Sequence, residues 1–165
     1  MRAHVRSVAR GLAVSCEVAA AVILIVVACI NLAQVIGRYF FASSFAWAEE
    51  VMRYVMVWLM MLGGVACIYR AEHMAIESLI QAVGPAWRNH VRSALYTVAG
   101  IFCVLLVVHG WPTAMRNSTQ VAAASGMPMI VPYIAIPIGG ALMIVQIVLC
   151  WFAGYEPAEP TEEPY

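Results

Sequence analysis

The chain has 165 residues, of which 64% are hydrophobic and 11% are charged, whereas soluble domains average about 45–50% and 25%. This composition indicates a membrane protein and leaves little chain for an aqueous catalytic domain. All nine positive residues are Arg, all nine negative residues are Glu, and the formal net charge is zero. A nucleic-acid-binding protein needs a surplus of positive charge on one face. The sequence therefore predicts neither an enzyme nor a nucleic-acid partner.

Four apolar segments are long enough to cross a hydrocarbon core of roughly 30 Å, which takes about 20 helical residues. They run over residues 12–36, 48–68, 91–112 and 129–152. These segments predict an all-α membrane protein with one four-helix transmembrane domain over residues 1–155. The Pro- and Glu-rich residues 156–165 are predicted to form a disordered cytoplasmic tail.

The arginines predict the orientation of the spans, because short cytoplasmic loops retain more Arg and Lys than exported loops do. Six arginines lie before the first span or between the second and third, namely Arg2, Arg6, Arg10, Arg70, Arg88 and Arg92. Only Arg38 and Arg116 follow the first and third spans. This bias predicts that both termini are cytoplasmic.

The N-terminal segment also has features of a cleaved signal, since arginines precede the apolar run and residues 26–29 loosely match a lipoprotein cleavage box. A signal peptide has an apolar stretch of about 7–15 residues. The first span here is longer, so we expect it to be retained as a membrane anchor.

No cofactor or metal site is predicted. The five cysteines have no CxxC spacing, which favours neither a zinc site nor a disulfide framework. A haem anchor would need histidines facing each other within the bundle, but His4, His73 and His90 fall outside the predicted spans. His109 alone lies within one, and we interpret it as a polar residue near a helix end.

Polar residues on one side of the first span predict a surface that faces protein. At helical spacing this side carries Glu17, Asn31, Gln34 and Arg38. Ala21 and Ala28 are placed on the same side, and small and polar residues together suit helix packing in lipid. For the two charged residues, simple snorkelling to the membrane interfaces is the alternative.

The start of the second span carries a second polar group. Glu49 and Arg53 are four residues apart with the acid first, the favourable order for a helical ion pair, and the acid is near the positive end of the helix dipole. Trp47 and Trp58 flank them. We interpret this pair as part of a subunit or lipid contact at the exoplasmic interface, with an interfacial cap and an ion relay as alternatives. A relay is disfavoured because no acid lies on the third or fourth span.

Two further segments have a predicted shape. Apolar residues repeat every three to four positions over residues 76–83, which predicts a short amphipathic helix in the interface between spans two and three, ended by Gly84 and Pro85. In the fourth span Pro137 removes one backbone hydrogen bond and predicts a bend. Gly139 lies beside that bend and suits close packing.

Several of these residues together resemble the small permease subunit of tripartite ATP-independent periplasmic (TRAP) transporters. The resemblance is carried by Trp47, Glu49, Glu50, Arg53, Tyr54, Val57, Trp58, Gly63, Gly64, Arg70, His73 and Leu79, and by residues 128–143. It implies a multi-pass protein of the bacterial inner membrane that assembles with a large permease and a periplasmic solute-binding protein. In such systems the large subunit carries the solute and the sodium ions, and the small subunit is a scaffold.

A different hypothesis is an autonomous transporter or channel built as a small homo-oligomer, for which Glu17 is the only candidate pore acid. On the TRAP interpretation we expect no catalytic residue. The residues expected to contact another subunit or lipid are Asn31, Gln34, Trp47, Glu49, Glu50, Arg53, Trp58, Arg70, His73, Pro137 and Gly139.

Overall fold

A computed structural model describes residues 2–41, 46–70 and 85–153. Within these ranges the chain forms four helices: α1 (Arg2–Phe41), α2 (Ala46–Arg70), α3 (Pro85–Arg116) and α4 (Ile130–Ala153). Each contains a segment long and apolar enough to cross a membrane. The prediction of an all-α protein with four spans is confirmed. The predicted interfacial helix over residues 76–83 and the predicted tail over residues 156–165 lie outside the described residues.

The helices extend beyond the predicted spans. Helix α1 begins at Arg2 rather than near residue 12, and α3 begins at Pro85 and continues through Pro112 to Arg116. Proline is well suited to a first helical turn because its missing N–H group needs no partner there. Hydropathy gives the length of the apolar segment, whereas a helix continues until its backbone hydrogen bonding is interrupted. The ends of a predicted span and the ends of its helix therefore differ.

Helix α4 is the centre of the molecule. Among the described helices it packs against all three others, α1 also packs against α2, and α3 packs against α4 alone. Most buried side chains are small. This is expected in lipid, where helices associate by close backbone packing because the hydrophobic driving force between them is missing. The buried hydrophobic residues are Ala9, Ala13, Cys16, Val27, Ala48, Val65, Ala66, Cys103, Ala114, Ala122, Ala135, Ile147 and Cys150.

Two consecutive glycines allow α4 to fit between α2 and α3. A Cβ atom on Gly139 would lie 2.5 Å from Cβ of Met61 on α2, and one on Gly140 would lie 3.2 Å from the carbonyl oxygen of Cys103 on α3. Both distances are shorter than ordinary contact, so side chains at these two positions would push the helices apart.

The protein-facing side of α1 differs in part from the predicted one. Gln34 is buried, with 6% of its surface exposed, but Ala21 and Ala28 are exposed. The buried small residues of α1 include Ala9, Ala13 and Cys16, which lie in the first half of the helix. Helical spacing identifies residues that share a side, but the positions of neighbouring helices decide how much of that side is covered.

Gln146 on α4 is a buried polar residue that sequence reasoning missed. Its surface is fully buried, and its Nε2 atom donates a hydrogen bond to the carbonyl oxygen of Ala9 at 3.1 Å. Its Oε1 atom has no hydrogen-bond partner among the described residues. The amide therefore joins α4 to the first turns of α1 through its donor group.

Candidate functional site

Two ion pairs join α1 to α2, one near each end of α2. Arg38 Nη2 lies 3.4 Å from Glu49 Oε1, and Arg70 Nη2 lies 2.5 Å from Glu17 Oε2. Glu17 and Arg38 are 21 residues apart, and so are Glu49 and Arg70. At a rise of about 1.5 Å per residue this separation is about 32 Å, close to the thickness of a hydrocarbon core. We call these two pairs the interhelical clamps.

The clamps correct the predicted partner of Glu49 and refine the prediction that Glu17 and Arg38 face protein. Glu49 pairs with Arg38 on the neighbouring helix, not with Arg53 four residues ahead. Antiparallel packing brings Arg38 opposite the start of α2, which sequence spacing within α2 could not reveal. Glu17 and Arg38 keep 44% and 58% of their side-chain surfaces exposed. Each therefore contacts α2 of the same chain while part of its side chain remains on the surface.

Glu50, the neighbour of Glu49, binds the loop between α3 and α4. Its Oε2 atom accepts hydrogen bonds from the backbone N–H groups of Ser125 at 2.7 Å and Ala124 at 3.1 Å. Its Oε1 atom accepts one from the hydroxyl of Tyr54 at 3.0 Å. Consecutive N–H groups that converge on one oxygen form a typical anion-binding arrangement. We call this set of contacts the Glu50 latch.

The latched loop has a defined turn structure. The Ala122 N–H group donates to the Met127 carbonyl at 2.9 Å, and the Met129 N–H group donates to the Gln120 carbonyl at the same distance. Gly126 has a φ angle of 69°, a conformation that favours glycine because it has no Cβ atom. Sequence reasoning missed this turn, although Ser-Gly is a recognised turn signal.

Trp58 gives α2 a second bond to this region. Its indole Nε1 atom donates to the carbonyl oxygen of Val131, in the first turn of α4, at 3.0 Å. Glu50, Tyr54 and Trp58 are four residues apart and therefore share one face of α2. Glu50 and Trp58 were both expected to contact another subunit or lipid, but in the structure each has a partner within the chain.

Two other predicted contact residues also lie inside the molecule. Pro137 and Gly139 are buried. A Cβ atom on Gly110 of α3 would lie 3.1 Å from Cδ of Pro137, and Gly139 faces Met61 of α2. At these two positions α4 is covered by its neighbours α2 and α3.

The remaining predicted contact residues are on the surface or outside the described ranges. Asn31, Trp47, Glu49 and Arg53 are exposed, and His73 lies outside the described residues. Arg70 belongs to a clamp. On α2 the exposed stripe continues from Glu49 and Arg53 at helical spacing to Met56 and Met60, which are 55% and 70% exposed.

His109 lies seven residues before the end of α3 at Arg116. Its imidazole is exposed. Its Nδ1 atom lies 3.2 Å from the carbonyl oxygen of Leu105. The described residues contain no group of three or more His, Cys, Asp or Glu side chains that could hold a metal ion.

The helices and their clamps define a multi-pass helical membrane protein. Residues 26–154 match the family model for tripartite ATP-independent periplasmic transporters, DctQ component. This range covers most of the chain, and the chain belongs to this family of small TRAP permease subunits. It is accordingly a multi-pass protein of the inner membrane.

Three relatives are similar over most of this chain. A putative TRAP transporter small permease protein of Haemophilus influenzae is 27% identical, with 84% of this chain and 86% of the relative covered. The C4-dicarboxylate TRAP transporter small permease protein DctQ of Vibrio cholerae is 26% identical over 81% and 72%. The sialic acid TRAP transporter permease protein SiaT of Haemophilus influenzae is 25% identical over 72% of this chain, but only 19% of its own length is covered.

Proposed function

We propose that this chain is the scaffold subunit of a sodium-coupled TRAP importer. In this role it stabilises the large permease, works with a periplasmic solute-binding protein and carries neither the solute nor the coupling ion itself. The family membership supports the subunit assignment, and the arrangement of the acidic side chains supports the scaffold role.

The observation that carries this proposal is that the acids already have partners. Glu17 and Glu49 belong to the interhelical clamps, and Glu50 is latched to the α3–α4 loop. These are the three glutamates within the described residues. A transport pathway for ions needs a membrane-embedded polar group that can exchange partners, and acids occupied at the ends of α2 do not supply one.

The experiment compares the chain alone with the full system. The chain, its cognate large permease and its binding protein are reconstituted into liposomes separately and together, and solute uptake is measured with and without a sodium gradient. We expect uptake only from the full set, and a lower yield of folded large permease when this chain is omitted. Sodium-dependent uptake by this chain alone would overturn the scaffold role.

The proposed solute is an organic acid. Two relatives are named for C4-dicarboxylate and for sialic acid, and both compounds carry carboxylate groups. Competition in the uptake assay tests this class: carboxylic acids should inhibit, and neutral compounds of matched size should not. Inhibition by the neutral compounds alone would contradict the proposal.

We also propose that both termini are cytoplasmic, which places the Arg38–Glu49 clamp and the latched loop on the exoplasmic side. The distribution of arginines supports this orientation. Reporter fusions after Ser44 and Ser118 should be exoplasmic, and fusions after Gln81 and Glu159 should be cytoplasmic. A reversed reporter at any one of these sites would refute the topology.

A further inference from the structure

Arg53 on α2 is a cation without a counter-ion among the described residues. Its side chain is exposed, and no hydrogen bond or ion pair joins it to the described parts of the chain. The two acids one turn before it have other partners, since Glu49 pairs with Arg38 on α1 and Glu50 binds the α3–α4 loop. The positive charge of Arg53 is therefore left uncompensated on the surface of α2.

Arg53 also lies inside the membrane-spanning part of α2, which covers Ala46–Arg70. It is four residues beyond Glu49, or about 6 Å further along the helix at a rise of about 1.5 Å per residue. Between the clamp residues of α1 and α2 it is the one basic residue. A charged side chain at this depth is costly unless it pairs with an opposite charge or reaches back to the polar interface.

The surface beyond Arg53 is apolar. Met56 and Met60 follow it at helical spacing and are 55% and 70% exposed. On α1, the turn before Arg38 exposes Val35, at 47%. A charged position at one end of the span and apolar side chains toward its middle are the order in which a phospholipid presents its phosphate and its acyl chains.

We propose that Arg53 binds the phosphate group of a phospholipid whose acyl chains lie along Met56 and Met60. In the orientation proposed above this lipid belongs to the exoplasmic leaflet. A guanidinium group offers five N–H donors in a planar fork that matches phosphate oxygens. Arg38 uses Nη2 for Glu49 and is 58% exposed, so its other donors are available one turn away. The inference goes beyond the scaffold role and does not depend on it.

A carboxylate on a helix of the large permease is the competing occupant. That acid would have to be moved from water to the depth of Arg53, which is costly in a membrane helix. A lipid phosphate is already at the interface of the bilayer and needs no such transfer. The observations therefore favour the lipid, and the permease becomes an outcome of the test.

Native mass spectrometry of the complete chain in detergent, titrated with lipid, tests the phosphate contact. Phosphatidylglycerol is compared with diacylglycerol that has the same acyl chains but no phosphate. We expect Arg53→Gln to weaken the first phosphatidylglycerol-binding step by roughly ten-fold, the size expected for loss of a charge-assisted hydrogen bond, and to leave diacylglycerol binding unchanged. Arg53→Lys, which keeps the charge, should retain most of the phosphatidylglycerol binding.

Arg10→Gln is the matched control, because Arg10 is also exposed but lies before the clamp residue Glu17 on α1. It should leave phosphatidylglycerol binding unchanged. Equal weakening by Arg10→Gln and Arg53→Gln would show a general effect of positive charge and overturn the inference. Unchanged binding in Arg53→Gln, or an equal loss in Arg53→Lys, would overturn it as well.

Co-purification separates the lipid from the permease. The chain is co-expressed with its cognate large permease, and the ratio of the two subunits is measured after extraction in mild detergent. Arg53→Gln should leave this ratio unchanged. A lower ratio together with unaltered phosphatidylglycerol binding would assign Arg53 to the permease and refute the lipid contact.

Discussion

Helices α2 and α3 both pack against α4, but their polar side chains have different surroundings. On α2, Glu50 bonds to the loop before α4, and Trp58 bonds to the first turn of α4. Glu49 bonds to α1. On α3, His109 faces outward and bonds only within its own helix among the described residues. Polar residues in a membrane helix therefore do not by themselves mark a subunit contact, because those of α2 hold this chain together.

This comparison predicts that substitutions on the side of α2 facing α4 change the stability of the isolated chain, whereas substitutions on the outer face of α3 leave it unchanged. The strongest test is at the contact of α2 with α4. Gly139→Leu should prevent normal folding, because even a Cβ atom there would lie 2.5 Å from Cβ of Met61, and overpacking of a close contact typically costs about 1–3 kcal/mol or more. The yield of monodisperse protein in mild detergent measures the effect.

Gly63→Leu is the control for that substitution. A Cβ atom built on Gly63 would meet no atom of another helix within 4 Å, so the larger side chain enters open space and the yield should be unchanged. Similar losses from both variants would show that the packing of α4 against α2 is not what limits folding.

The Glu50 latch should give the next largest effect. Glu50→Ala removes the acceptor for the N–H groups of Ala124 and Ser125 and for the hydroxyl of Tyr54, and buried or half-buried donors without an acceptor destabilise a fold. We expect tryptic cleavage after Arg116 to become several-fold faster as the loop loosens.

Glu49→Ala provides the matched comparison, since the neighbouring acid contacts Arg38 on α1 and not the loop. Cleavage after Arg116 should stay at the original rate in this variant. If the two alanine variants were cleaved equally fast, the latch would not be what orders the loop.

A smaller effect is expected from substitution of Trp58, whose indole donates a hydrogen bond to α4. Trp58→Phe keeps the aromatic ring but removes the donor to the carbonyl oxygen of Val131, and the net contribution of one such hydrogen bond is about 1 kcal/mol. The free energy of unfolding in mild detergent should fall by about that amount. Trp111→Phe, at an exposed site on α3, should leave it unchanged, and an equal fall would indicate a general effect of losing an indole.

The clamps should give the smallest effect. Both pairs are about half exposed, and exposed ion pairs contribute about 0–1 kcal/mol. Glu49→Arg alone should lower the melting temperature slightly because it places like charges together, and adding Arg38→Glu should restore it. Rescue by Arg53→Glu instead would show that Glu49 pairs within α2 in the membrane.

Part of the candidate site could be predicted from spacing alone. Glu17, Gln34 and Arg38 were expected on a protein-facing side of α1, and the structure gives Glu17 and Arg38 partners on α2 and buries Gln34. The partner of Glu49 was wrongly predicted, because spacing reports only neighbours in the same helix. The Glu50 latch and Gln146 were missed because both join segments more than 70 residues apart.

The number of spans, the helical class and the charged ends of α2 follow from the amino-acid sequence, because each depends on the length and polarity of one segment in a hydrocarbon layer of known thickness. The central position of α4, the packing of α3 against α4 alone among the described helices, and the partner of each described glutamate depend on how the helices pack. In lipid, a helix face that packs on another helix and one that contacts acyl chains are both apolar. Hydropathy therefore cannot distinguish these faces, and the close fit of Gly139, Gly140 and Gly110 to their neighbours does.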